Sequence, residues 1–93
     1  MKFLAVCGFG VGSSMILKMT IEKACMERNL DCEVENTDLS SARGMHVDAV
    51  FTSHELADEL RSGMKCPVFE IKRYMDKEEV GSAVDSFLKN GGK

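Results

Sequence analysis

The sequence predicts an α/β fold in which helices flank both faces of a four-stranded parallel sheet. Short apolar segments alternate along the chain with longer segments of helical periodicity, and such alternation is typical of strands joined by right-handed helical crossovers. The 93 residues, 44% of them hydrophobic and 29% charged, suffice for one small core but not for two. We therefore expect residues 1–93 to form a single domain.

The first half of the chain predicts two strands with a helix between them. Residues 3–6 form an apolar run that ends in glycines, as is typical of a buried strand. Good helix formers follow over residues 14–28, with Ser13 or Ser14 as the expected N-cap. Residues 32–37 alternate between apolar and polar side chains, which predicts a strand near an edge of the sheet.

The middle of the chain predicts a third strand and a short helix. Residues 38–44 are expected to form a loop with one helical turn, and residues 48–53 the third strand. A helix then begins at Ser53 or His54 and ends at Gly63.

The last two elements are a strand over residues 67–71 and a C-terminal helix. Asp76 and Glu79 have the spacing of a capping box at the start of that helix. Its apolar side chains then recur at helical spacing, and these are Val80, Ala83, Val84, Phe87 and Leu88.

Charge and hydropathy exclude several classes of function. The net charge of −3 argues against a general nucleic-acid binder, which would carry a basic excess. No apolar run approaches the roughly 20 residues that cross a bilayer, so no direct membrane insertion is expected. The N-terminal apolar run is too short for a signal peptide, and we expect a cytoplasmic protein.

The cysteine pattern indicates reduced thiols rather than disulfides or a metal site. Cys7, Cys25, Cys32 and Cys66 include no pair at CxxC spacing, and neither histidine lies at zinc-ligand spacing from them. We expect no metal and no organic cofactor. Three of the four thiols have neither glycines nor a helix start beside them, so they are expected to pack as small apolar side chains.

Cys7 differs because it follows the first strand and begins a glycine-rich loop. The loop residues are Gly8, Phe9, Gly10, Val11, Gly12, Ser13 and Ser14. Alternating glycines let backbone N–H groups form an anion nest, and the following helix start adds unpaired donors and a positive dipole end. The same dipoles favour a thiolate, so the pKa of this thiol is expected to be lowered. The pattern predicts a phosphate-binding loop with a nucleophile at its rim.

Three other known loop motifs do not match these residues. A Walker loop requires a lysine after Gly12, and a dinucleotide fingerprint requires a glycine where Ser13 stands. The phosphatase cradle of a cysteine, five residues and an arginine also fails at Ser13. The glycines alone could form a tight strand-to-helix turn, but such a turn would not need two serines and a thiol as well.

Residues 4–19 resemble the opening of an enzyme IIB component of the phosphoenolpyruvate-dependent sugar phosphotransferase system. The likeness is greatest to the ascorbate type, whose loop also runs Cys-Gly-x-Gly-x-Gly-Ser-Ser-Met. The mannitol, galactitol and lactose/cellobiose types share this plan less exactly.

The resemblance implies a phosphotransferase that acts as a phosphocarrier. Cys7 would accept a phosphoryl group from a phosphohistidine of a IIA component and transfer it to a sugar, ascorbate or a similar one, bound by a membrane IIC permease. Backbone amides from Phe9 to Ser14, with the hydroxyls of Ser13 and Ser14, would cradle the group. Two alternatives stay open: a hydrolase resembling low-molecular-weight phosphatases, and a regulatory module that senses phosphorylation.

Four further residues have two interpretations each. Met15 and Met19 either face partner proteins near Cys7 or fill the core, while Leu17, Ile21 and Ala24 pack inward. His54 either steadies the phosphate or merely opens a helix. Arg43 either attracts a phosphorylated partner or is a solvated loop residue.

Overall fold

A computed structural model of the chain shows one sheet of four parallel strands in the order β2-β1-β3-β4. It describes residues 1–6 and 11–89, and the side chains of residues 1–6 and 15–89. The strands are β1 (Lys2–Val6), β2 (Glu33–Thr37), β3 (Ala49–Thr52) and β4 (Val68–Glu70). The predicted parallel sheet is confirmed, with β2 at one edge as expected.

Helices cover both faces of the sheet, which confirms the predicted α/β class. They are α1 (Val11–Glu27), α2 (Leu39–Ala42), α3 (His54–Gly63) and α4 (Lys77–Lys89). Residues of α1 and α4 share one buried cluster with the sheet, and residues of α2 and α3 share the other. Within the described ranges, no helix combines the length and the apolar character that crossing a membrane would need.

Period-two alternation along β1 divides the core between these clusters. Phe3 and Ala5 lie in the cluster with α1 and α4, whereas Leu4 and Val6 lie in the cluster with α2 and α3. The Phe3 ring meets both Phe51 and Phe87 edge-on, with each pair of ring centroids 5.3 Å apart. Such edge-on pairs are a favourable aromatic geometry and join α4 to two strands.

The start of α1 corrects the sequence-based prediction. The helix begins at Val11, so the expectation that Ser13 or Ser14 is its N-cap was wrong. An N-cap residue keeps a non-helical backbone, whereas both serines lie inside the helix. Since packing of a buried face contributes more to a helix than local preference does, the preference of serine for N-cap positions does not fix this boundary. The inward packing expected of Leu17, Ile21 and Ala24 is confirmed.

The capping box predicted for α4 is only half formed. The Asp76 carboxylate accepts hydrogen bonds from the backbone N–H groups of Glu78 and Glu79, with donor–acceptor distances of 3.0 and 3.2 Å. The Glu79 carboxylate, however, accepts from the N–H groups of Lys72 and Arg73, at 2.8 and 3.0 Å. The Asp76 N–H donates instead to the Arg73 carbonyl, so it leaves no donor for Glu79. Glu79 therefore anchors the loop between β4 and α4 rather than the helix start.

We predict that Asp76→Ala lowers the free energy of unfolding by about 1 kcal/mol, because it removes the acceptor for two helix N–H groups. Asp76→Asn retains a side-chain oxygen and should change this free energy by only a few tenths of a kcal/mol. Urea denaturation of the three proteins measures both effects. Equal losses in the two variants would contradict a role based on hydrogen bonding.

Candidate functional site

The carboxyl end of β1 lies at the centre of the sheet edge where the predicted loop begins. Val6 pairs with Thr37 of β2 on one side and with Thr52 of β3 on the other. The chain leaves β1 after Val6 and enters α1 at Val11, so residues 7–10 join the end of a central strand to the amino end of a helix. In open parallel sheets this edge is where ligands bind.

The predicted phosphate-binding loop is described only in part. Cys7, Gly8, Phe9 and Gly10 lie outside the described residues. The backbone of the remaining four loop residues forms the first turn of α1, and their side chains are outside the description; they are Val11, Gly12, Ser13 and Ser14. Their roles therefore stay predictions, although their backbone N–H groups are those that a first helical turn leaves without an intrahelical acceptor.

The carboxyl end of the neighbouring strand β3 is followed by Ser53, which the sequence predicted only as a possible helix start. Ser53 follows β3 and is the N-cap of α3, where its carbonyl accepts from the N–H groups of Leu56 and Ala57. The residue is only 4% exposed, and in the described part of the chain its hydroxyl oxygen has no hydrogen-bond partner. No sequence signal marks this hydroxyl, because its burial depends on the packing around the end of β3.

His54 is the first residue of α3, which confirms that it opens the helix. Its Nδ1 atom lies 2.9 Å from Oε2 of Glu70, the last residue of β4. The hydrogen bond that the imidazole donates to the Glu70 carboxylate, reinforced by the charge of Glu70, raises the pKa of His54. The same hydrogen bond and charge lower the pKa of the Glu70 carboxyl. Both shifts favour an imidazolium–carboxylate pair at this edge of the sheet.

Arg43 lies away from the predicted loop. It follows α2 and forms an ion pair with Glu59, with Nη2 and Oε2 3.2 Å apart. Together with His46 and Cys66 it lines a cavity of about 230 Å³ formed by residues that precede β3 and β4. Because those residues lie at the amino ends of parallel strands, this cavity is on the opposite edge of the sheet from the carboxyl end of β1.

The methionine side chains of α1 are on the surface rather than in the core. Met15 and Met19 are 50% and 51% exposed, so the interpretation that they fill the core was wrong. Ile16 and Met75 are also exposed, and Ile16, Met19 and Met75 border one groove of about 420 Å³. We call Met15, Ile16, Met19 and Met75 the methionine surface. Its three α1 residues lie in the half of that helix nearer to residues 7–10, whereas the exposed Met26 lies near the other end.

The three described cysteines have the packing role predicted for them. All are free thiols; Cys25 is part of the core, and Cys32 and Cys66 pack against the two buried clusters. Burial, with a further contribution from the hydrogen-bonded Cys32 thiol, raises the pKa of Cys25 to about 12. Burial also raises the pKa of Cys66. Raised values disfavour the nucleophilic thiolate. Among residues 1–6 and 11–89, no group of three or more His, Cys, Asp or Glu side chains could hold a metal ion.

Comparison with known proteins supports the resemblance noted in the first loop. The family model for the lactose/cellobiose-specific IIB subunit of the PTS system matches residues 2–85. The ascorbate-specific PTS system EIIB component of Mycoplasma pneumoniae is 28% identical over 90 residues, which cover 95% of each chain.

Two solved structures share the fold. The lactose-specific IIB component domain from Streptococcus pneumoniae has a TM-score of 0.67 at 14% identity, covering 98% of this chain and 97% of its own. The Enzyme IIB subunit of a PTS system from Escherichia coli K12 has a TM-score of 0.54 at 15% identity, covering 96% and 90%. The family match extends over most of the chain and both structures have its architecture, so the chain belongs to the lactose/cellobiose-specific IIB family of the phosphotransferase system.

Proposed function

We propose that residues 1–93 form a single IIB domain that carries a phosphoryl group on Cys7. Cys7 accepts the group from a phosphohistidine of a IIA component and delivers it to a sugar bound by a membrane IIC permease, at the cytoplasmic side of the membrane. The observation that carries the proposal is the position of Cys7 in a chain of this family. It directly follows the central strand β1 and precedes the amino end of α1.

The proposed chemistry is two successive transfers of one phosphoryl group. In the first, the Cys7 thiolate attacks phosphorus, an S–P bond forms, and the N–P bond to the donor histidine breaks. In the second, a sugar hydroxyl attacks phosphorus, the S–P bond breaks, the thiolate is restored and the hydroxyl proton is released. Each step exchanges one bond to phosphorus for another, so no oxidant or reductant is required.

The amino end of α1 supplies the electrostatic support for this chemistry. The first N–H groups of a helix lack intrahelical acceptors and lie at the positive end of the helix dipole. In this chain those groups belong to residues 11–14, directly after the loop that contains Cys7. They favour the thiolate before transfer, and with the amides of Phe9 and Gly10 and the hydroxyls of Ser13 and Ser14 they hold the phosphoryl oxygens afterwards.

The residues of the Cys7 loop favour a phosphocarrier over a phosphatase. Ser13 occupies the position of the arginine in the phosphatase cradle, and an arginine there would stabilise the charge that develops during hydrolysis. A carrier must instead keep its phosphocysteine intact until the acceptor arrives. The similarity to an ascorbate-specific component suggests ascorbate or a similar sugar as the final acceptor.

We predict that Cys7→Ala and Cys7→Ser reduce phosphoryl transfer to the sugar by roughly a thousandfold or more, because the nucleophile is lost. The assay combines phosphoenolpyruvate, the general phosphotransferase proteins, the cognate IIA and membranes that contain the permease. Cys66→Ala is the matched control and should retain near-normal transfer, since this thiol lies at the opposite edge of the sheet.

Transfer at the normal rate by Cys7→Ala would contradict the proposal. Rapid hydrolysis of an aryl phosphate by the unaltered protein would favour the phosphatase alternative. Phosphorylation of the protein without phosphorylation of any sugar would favour a regulatory module.

The methionine surface is proposed to contact the IIA donor. Unbranched, polarisable methionine side chains adapt to different partners, and a carrier must bind its donor and its acceptor in turn. The groove beside Met19 is also bordered by Lys23 and Lys77. Lys77 is already paired with Glu27, so an acidic rim on the donor would complement chiefly the ammonium group of Lys23.

We predict that Met19→Glu raises the KM for phosphorylated IIA by roughly tenfold, because a charge replaces an apolar contact worth 1–2 kcal/mol. Met26→Glu is the control, since Met26 is exposed on the same helix but far from residues 7–10. Initial rates of phosphorylation, measured over a range of IIA concentrations, give both values. Equal KM values for the two variants would refute contact at the methionine surface.

A further inference from the structure

The Ser53 hydroxyl is a buried polar group with no use in the fold itself. Its oxygen lies inside the protein without a hydrogen-bond partner in the part of the chain that the structure describes. Serine at an N-cap usually accepts a hydrogen bond from an N–H group of the first helical turn, but the Ser53 side chain makes no such bond. Buried hydroxyls without partners are unfavourable and uncommon. A ligand that accepts a hydrogen bond from this hydroxyl would explain its burial.

The sheet register pairs the residue before Ser53 with the residue before Cys7. Val6 and Thr52 are paired residues of adjacent strands, and the Thr52 hydroxyl donates to the Val6 carbonyl oxygen at 2.9 Å. In the sequence, Cys7 directly follows Val6 and Ser53 directly follows Thr52. Consecutive Cα atoms are about 3.8 Å apart and neighbouring strands about 4.8 Å apart. Since Cys7 is covalently joined to Val6, we expect a group on the Cys7 sulfur to be able to reach the end of β3.

The amino end of α3 makes the same place suitable for an anion. Helix α3 begins at His54, directly after Ser53, and is ten residues long. The Ser53 carbonyl accepts from the N–H groups of Leu56 and Ala57, which fixes the backbone of Ser53 at this helix start. The amino ends of α1 and α3 thus follow two adjacent strands, and their positive dipole ends lie at one edge of the sheet.

The charged side chains nearest in sequence do not prevent this. The Glu70 carboxylate is paired with the His54 imidazole at 2.9 Å, so its charge is partly compensated. Glu55 lies in the first turn of α3 and its side chain is exposed to solvent, which screens its charge.

We propose that Ser53 is a ligand of the phosphoryl group, its hydroxyl donating a hydrogen bond to an oxygen of the group carried on Cys7. This inference rests on the proposed function. A hydroxyl has one donor, and a phosphoryl oxygen is a strong acceptor. Among the described residues the hydroxyl has no partner, and on phosphorylation it would gain one, so its burial favours the phosphorylated state.

The test compares Ser53→Ala with unaltered protein in two states. Before phosphorylation, the variant should have an equal or higher Tm, because it loses a buried hydroxyl that had no partner and no helix-capping bond. With phosphorylated IIA, its equilibrium constant for accepting the phosphoryl group should fall roughly tenfold, the size expected for one charge-assisted hydrogen bond. The ³¹P resonance of its phosphocysteine should also move.

Ser62→Ala is the matched control. It removes a serine hydroxyl from the same helix, but an exposed one that donates to the Asp58 carbonyl. Its equilibrium constant and its ³¹P resonance should equal those of the unaltered protein.

The outcomes separate this inference from the function on which it rests. If the unaltered protein accepts no phosphoryl group, both are rejected. If it is phosphorylated and Ser53→Ala has the same equilibrium constant and ³¹P resonance, only the role of Ser53 is overturned. A lower Tm with an unchanged equilibrium constant also overturns that role, because it would show a structural partner such as a bound water.

Discussion

The burial of β1 on both faces is the constraint on which the rest of the structure depends. Residues 3–6 are fully buried and alternate between the two hydrophobic clusters, so helices must cover both sides of the sheet. With β2 and β3 hydrogen-bonded on either side of it, β1 cannot lie at an edge. Its carboxyl end therefore opens at the middle of the sheet, between strands whose connections run over opposite faces. Cys7 is the next residue of the chain after Val6, so chain connectivity attaches the predicted loop to this end of the strand.

The fold was largely predictable from the sequence, because its signals are periodic. Short apolar runs, one alternating segment and helical periodicity identified all four strands and the long helices, and a turn of helix was expected where α2 lies. The boundaries were less predictable. The start of α1 at Val11 depends on how its buried face packs on the sheet, and the partner of Glu79 depends on where the loop after β4 passes. Neither is encoded in the spacing of a few residues.

The candidate site also contains residues that the sequence predicted and residues that it did not. The Cys7 loop stood out because glycines, serines and a thiol are adjacent in the sequence, and its role as a phosphate-binding loop stays a prediction. Residues that the fold brings to the same edge from other strands are not marked by any comparable pattern in the sequence. Ser53 could be recognised as a helix start, but its unpartnered hydroxyl became visible only with the burial of the β3–α3 junction. The exposure of Met15 and Met19 likewise depended on which side of α1 meets the sheet.

The cysteines illustrate how position determines reactivity. Burial raises the pKa of Cys25 and Cys66 and so disfavours their thiolates, whereas the proposed nucleophile follows a strand and precedes a helix start. The most direct test of the central claim is to locate the phosphoryl group by peptide mass spectrometry. The protein is first phosphorylated with phosphoenolpyruvate, the general phosphotransferase proteins and IIA. The account predicts an iodine-labile phosphoryl group on the peptide that contains Cys7, and a group located instead on His46, His54 or another cysteine would contradict it.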